Sequence, residues 1–146
     1  MKKLLKQFLQ HAESTDFKCS VTKTQAGKEV VIIYREPYTT AIAVIENGGK
    51  LSKIGRAEFA FKDDNKTFYL RMIKIEEEFR NQGIGSAMMQ NLVEYAQLKH
   101  CEKIELVAAK RLREFYSHMG FDCTCKSNTS FAVMDLSLAK NNTQSL

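Results

Sequence analysis

Seven consecutive residues, Arg80-Asn81-Gln82-Gly83-Ile84-Gly85-Ser86, combine a permanent cation, polar side chains and two glycines. They stand between a β-rich run, Thr67 to Ile75, and an amphipathic run, Ile84 to His100. A loop that opens a helix collects unpaired backbone N–H groups, with the positive end of the helix dipole behind them. That is chemistry for holding an anion such as a diphosphate. Gly83 and Gly85 let the backbone come close to such a group where a Cβ would collide, and Arg80 can add a charged fork. A tight strand-to-helix turn without any ligand uses the same residue types, so the segment alone leaves both readings open.

A second segment narrows the choice: Phe115-Tyr116-Ser117-His118-Met119-Gly120-Phe121, with a strand-like run, Lys103 to Ala108, before it. Together the two segments resemble the GNAT superfamily of acyl-CoA-dependent N-acetyltransferases, closely from Thr67 to Phe121 and loosely over the rest. In that family an Arg/Gln-x-x-Gly-x-Gly/Ala loop wraps the pyrophosphate of coenzyme A, and a Phe-Tyr-x-x-x-Gly-Phe segment carries a tyrosine near the cofactor sulfur. The resemblance implies an enzyme, a cytoplasmic N-acetyltransferase moving an acetyl group from acetyl-CoA to a primary amine by direct transfer in a ternary complex.

That chemistry needs a held donor, a polarised carbonyl, a neutral amine and a proton for the leaving thiolate. Proximity supplies much of the acceleration. By resemblance, Arg80, Asn81, Gln82, Gly83, Ile84, Gly85 and Ser86 hold the pyrophosphate. Backbone groups of Ile73, Lys74 and Ile75 pair with the pantetheine arm, and an N–H near Ile75 polarises the acetyl carbonyl. Tyr116 is the expected general acid, since a phenol with a pKa near 10 stays protonated at neutral pH and can donate to a thiolate. For the base, Glu76 and Glu58 are the candidates, with water-mediated proton loss as the alternative. Two positions depart from the family. Some protein-acetylating relatives carry a glutamate where this chain has Tyr69, and an asparagine often found before the Phe-Tyr pair is Ala109 here, flanked by Lys110, Arg111 and Arg113. His118 falls at a variable spot and reads as surface, while Phe115 and Phe121 read as core anchors.

The elements that must position these residues follow from periodicity. Leu4, Leu5, Phe8, Leu9 and Ala12 recur at helical spacing, which predicts a helix within residues 1–14 packed on the domain rather than a secretory segment. Phe17 to Val21, Glu29 to Tyr34, Thr39 to Ile45, Arg56 to Phe61 and Lys66 to Ile75 read as strands of an antiparallel meander. Asn47-Gly48-Gly49-Lys50 and Asp63-Asp64-Asn65 supply turns. Ile84, Met88, Leu92 and Tyr95 share a helix face, with Ala87 and Ala96 beside them. Strand, helix, strand then implies a right-handed crossover and a parallel pair. A short helix from Lys110 to Met119 ends at Gly120, a left-handed cap. Phe121 to Cys125 and Ser130 to Leu138 finish as strands, joined by Lys126 to Thr129.

The expected fold is therefore α+β: a mixed, mostly antiparallel twisted sheet with a splayed parallel pair and helices on its faces. It would be a single domain over residues 1–146 with a frayed tail at 141–146. Relatives often place two helices between their first and second strands. Here that region is strand-rich, so the acceptor side does not follow from analogy.

With 146 residues, 44% apolar and 27% charged, the chain is of ordinary globular make-up and long enough to bury a core. The net charge of +5 suits an anionic ligand. The basic residues run no longer than pairs, so nucleic acid is not an expected partner, nor is a membrane. The acceptor amine, small molecule or protein, is left open, as is pairing into a homodimer through exposed strand edges. Cys19, Cys101, Cys123 and Cys125 match no zinc or redox spacing, so reduced thiols and no metal are expected. Two other functions compete. A non-catalytic acyl-CoA-binding or interaction module would keep the loop without turnover, and the departures at Tyr69 and Ala109 favour it. A dinucleotide-binding domain would need a third glycine where Met88 stands.

Overall fold

The computed structural model describes residues 1–15, 17–35, 39–124 and 130–138. In chain order it has α1 (Lys3–Glu13), β1 (Lys18–Lys23), β2 (Glu29–Arg35), β3 (Thr40–Asn47), β4 (Lys50–Lys62), β5 (Thr67–Ile75), α2 (Ile84–Leu98), β6 (Lys103–Ala109), α3 (Arg113–His118), β7 (Asp122–Cys123) and β8 (Phe131–Ser137). Short 3-10 turns, Glu77–Phe79 and Lys110–Leu112, precede α2 and α3. The strands are mostly antiparallel, with β5 and β6 parallel, which is the expected α+β class. Two compact units divide the chain: Met1–Glu58 with Met72–Leu92, and Phe59–Arg71 with Val93–Leu146. β4, β5 and α2 contribute residues to both.

In the first unit the strand order is β1-β2-β3-β4-β5. The helical spacing of Leu5, Phe8, Leu9 and Ala12 turns one stripe of α1 onto Val31, Ile33 and Val44, with Cys19 and Ile42 packed alongside. Glu46 Oε1 accepts from the Leu5 N–H at 3.1 Å, satisfying a donor that the first turn of α1 leaves without a helical partner. Asn47 pairs with Lys50, and Gly48 and Gly49 between them have φ of +61° and +79°. Those angles fit a two-residue hairpin turn open to glycine at both positions.

The β3–β4 ladder shifts register between Ala43, which pairs with Gly55, and Val44, which pairs with Lys53. Ile54 is therefore the extra residue of a β-bulge. This irregularity matters for the end of β5. The Ile54 carbonyl accepts from the Glu76 N–H at 2.8 Å. A Cβ on Gly55 would stand 2.8 Å from Ile75 Cδ1 and 3.3 Å from the Lys74 carbonyl oxygen, so glycine gives the end of β5 its room here.

In the second unit the order is β4-β5-β6-β8-β7. Thr67 to Leu70 pair in parallel with Lys103 to Leu106, and parallel neighbours require a crossover such as the one that runs through α2. Phe59 and Phe68 stack with ring centroids 4.7 Å apart, and Tyr95 closes on both at 5.7 Å and 6.3 Å. Ile104, Leu106 and Ala108 bury one face of β6, as their alternation predicts.

β7 begins at Asp122 rather than at the expected Phe121, because Phe121 is engaged in closing α3. Cys125, the turn from Lys126 to Thr129 and the tail at 141–146 lie outside the described residues. Cys19 and Cys101 are free thiols, and burial pushes both up.

Candidate functional site

The expected cofactor-binding residues all fall in the first unit. β5 ends at Ile75, and the 3-10 turn Glu77–Phe79 follows where the sequence suggested only a loop. The chain then turns sharply. Arg80 is extended (φ −73°, ψ 163°), while Asn81 and Gly83 both take left-handed angles, φ +63° and +81°. Asparagine is one of the few side chains that adopts this region readily, and glycine adopts it freely. The Gly83 carbonyl accepts from the Ala87 N–H at 3.1 Å, making Gly83 the residue that caps α2.

The N–H groups of Asn81, Gln82, Gly83, Ile84, Gly85 and Ser86 have no acceptor among the described residues. Asn81, Gln82, Gly83 and Ser86 are exposed, whereas the Ile84 side chain is buried and anchors the first turn. A Cβ on Gly85 would come no closer than 3.9 Å to Ile75 Cγ1, so the fold itself does not demand glycine there. A group of unsatisfied amides at the positive end of a fifteen-residue helix can bind an anion.

Two cations flank this loop. Arg80 Nε donates to the Ile75 carbonyl at 2.8 Å, clamping the strand end to the loop and leaving its terminal nitrogens exposed. Ile73 and Ile75 are half-buried and Lys74 is exposed.

The second cation, Lys28, was not legible as a site residue. It leaves the β1–β2 turn, and its Nζ donates to Gln82 Oε1 at 3.4 Å. The turn is closed by Thr24: its N–H donates to the Lys28 carbonyl at 3.0 Å, and its hydroxyl accepts from the Lys28 N–H at 3.1 Å. Thr24 is buried beneath Gly83, its Cβ 3.6 Å from where a Gly83 Cβ would stand. No local sequence signal links residues 28 and 82.

The candidate bases differ in surroundings. Glu58 is ion-paired to Arg56 on the same strand, so its carboxylate is already engaged. Glu76 is exposed, just past the end of β5. Tyr69, in place of a strand glutamate, lies under Lys62, whose Nζ is 4.6 Å from the ring centroid.

Tyr116 belongs to the second unit, on α3. The Phe121 N–H donates to the Tyr116 carbonyl and the Gly120 N–H to the Ser117 carbonyl, both at 3.0 Å. With Gly120 at φ +100°, these two bonds make a Schellman closure, and its spacing accounts for the Tyr-x-x-x-Gly-Phe pattern. The Tyr116 ring is 7% exposed, edge-on to Phe115 at 5.1 Å and to Phe121 at 5.7 Å. Burial pushes its phenol above the ordinary tyrosine value, so it stays protonated at neutral pH. Phe121 is buried as expected, Phe115 only half-buried, and His118 exposed. Ala109 caps the 3-10 turn of Lys110–Leu112.

No curated protein is similar enough to match. Solved structures are. Ard1 from Thermoplasma volcanium has 18% identity over 72% of this chain and 74% of its own, with a TM-score of 0.59. The NatC complex bound to Gag peptide and CoA has 21% identity over 69% and 72%, with a TM-score of 0.58. A GNAT family acetyltransferase from Elizabethkingia anophelis with acetyl-CoA bound has 18% identity over 68% and 77%, with a TM-score of 0.56. At such identities the likeness establishes the fold. The profile of the acetyltransferase (GNAT) family matches residues 7–121, a span that takes in both glycine-bearing segments, and on that match the chain belongs to the GNAT acetyltransferase family.

Proposed function

We propose that this chain is an N-acetyltransferase that moves the acetyl group of acetyl-CoA directly to a primary amine. The observation that carries this reading is the run of acceptorless N–H groups from Asn81 to Ser86 beside Arg80. Those groups fit a diphosphate, and coenzyme A or acetyl-CoA is bound in several of the similar structures. The amine nitrogen attacks the thioester carbonyl carbon, the C–S bond breaks, the thiolate takes a proton and the new amide nitrogen loses one. Tyr116 is the proposed donor to the thiolate. Glu76 is the proposed proton acceptor, directly or through water, because Glu58 is engaged by Arg56.

Thiol release from acetyl-CoA across a panel of primary amines tests the activity. Tyr116→Phe should lower turnover about a hundredfold while acetyl-CoA still binds. Turnover unchanged in that variant would remove Tyr116 from the chemistry. The pairing of Glu58 favours a second reading, a module that binds acyl-CoA without turning it over. Acetyl-CoA binding with no thiol release over the whole panel would select it.

A further inference from the structure

We propose that Lys28, outside both sequence motifs, contacts the cofactor's diphosphate and sets affinity for it, with Gln82 as its positioning residue. The inference rests on the acyl-CoA reading above. Its own warrant is the geometry of the β1–β2 turn. Thr24 bonds both the N–H and the carbonyl of Lys28, so the root of this side chain is fixed. The same Thr24 lies under Gly83, so the turn and the loop form one packed assembly.

Gln82 Oε1 takes one ammonium N–H of Lys28 at 3.4 Å. An ammonium has three donors, which leaves two for an anion. Gln82 itself sits between the two left-handed residues, Asn81 and Gly83, amid the acceptorless amides. Among the described residues neither Lys28 nor Arg80 has a carboxylate within salt-bridge distance, so neither charge is neutralised. Two cations without a carboxylate partner among the described residues, both bonded within or next to one amide cluster, match a ligand carrying two adjacent negative phosphates. The direct β1–β2 hairpin is what delivers the second one.

The test is calorimetric affinity of the full chain for coenzyme A and for dephospho-coenzyme A, which keeps the diphosphate and lacks the 3′-phosphate. Lys28→Gln should weaken both by about fivefold, the upper range for a partly exposed ion contact. The loss should shrink in high salt. Gln82→Ala should weaken binding in the native background and add nothing once Lys28 is replaced. Additive losses would overturn the positioning role of Gln82. A loss confined to coenzyme A would overturn the diphosphate contact in favour of the 3′-phosphate. If the native protein binds coenzyme A and Lys28→Gln binds it equally well, only the Lys28 assignment fails. If the native protein binds neither compound, the acyl-CoA reading itself fails.

Discussion

The N–H of Phe121 donates to the carbonyl of Tyr116 at 3.0 Å while their rings meet at 5.7 Å. One contact thus ends α3, starts the chain towards β7 and holds the phenol in a buried setting. Gly120 makes it attainable, since its φ of +100° is closed to other residues and Leu136 Cδ1 lies 3.3 Å from its missing Cβ. Gly120→Ala should destabilise the protein by about 1–3 kcal/mol, read as a lowered denaturant midpoint. Turnover should fall further than acetyl-CoA affinity.

Gly85→Ala separates binding from folding. Among the described residues the nearest atom beyond the helix's own backbone is Ile75 Cγ1, 3.9 Å from the added Cβ, and alanine is favoured over glycine in a helix by up to about 1 kcal/mol. The variant should melt at or above the native temperature and yet bind coenzyme A at least about tenfold more weakly, by collision with the ligand. Unchanged affinity would remove the ligand from this helix end.

Gly55→Ala probes the bulge from a distance. The added Cβ would meet Ile75 Cδ1 at 2.8 Å and the Lys74 carbonyl at 3.3 Å. The isoleucine methyl can turn away, but the backbone must give, at a cost of about 1–3 kcal/mol. Because Arg80 grips the Ile75 carbonyl, the shift should also weaken coenzyme A binding. An effect on stability without one on affinity would show that the strand end does not set the loop.

Leu5 is the anchor of α1, 2% exposed against Val31, Ile33 and Val44. Leu5→Ala should cost about 2–5 kcal/mol in urea unfolding. A cost below about 1 kcal/mol would mean the helix contributes little to the fold.

Stability should also depend on alkaline pH. Burial raises the Tyr116 phenol from an ordinary 10.0 and the Cys19 and Cys101 thiols from an ordinary 9.0. A raised folded value means the native state holds its proton more tightly than the unfolded chain. The contribution is fully present below the unfolded pKa and is lost as pH climbs through the folded one. Unfolding free energy should therefore be level towards neutral pH with respect to these groups and decline above about pH 9. Tyr116→Phe should flatten the upper part of that decline, and an identical slope in the variant would contradict the assignment.

Local patterns were readable wherever the physics is local. The Asn47–Lys50 turn, the stripe of Leu5, Phe8, Leu9 and Ala12 on α1, the alternation of Ile104, Leu106 and Ala108, and the cap at Gly120 each express a constraint spanning a few residues. So does the loop from Arg80 to Ser86, whose glycines and helix start lie within one turn. Asn91 escaped this logic. On a helix face read as apolar it is buried, accepting from the Tyr34 hydroxyl at 2.6 Å and donating to Ser20 at 2.7 Å. A buried amide is tolerated only when partners far along the chain satisfy it, and no spacing rule announces them.

The amino-acid order alone determined the element sequence, the family resemblance and the place of the glycine loop ahead of α2, because backbone sterics, side-chain periodicity and helix-end amides act over neighbours. Tertiary structure alone decided which side chains from elsewhere in the chain stand beside that loop. It brought Lys28 to Gln82, closed Arg80 on Ile75 and fitted Gly55 against Ile75. These depend on strand register, a bulge and turn packing, where contacts between residues far apart in the chain set the energy.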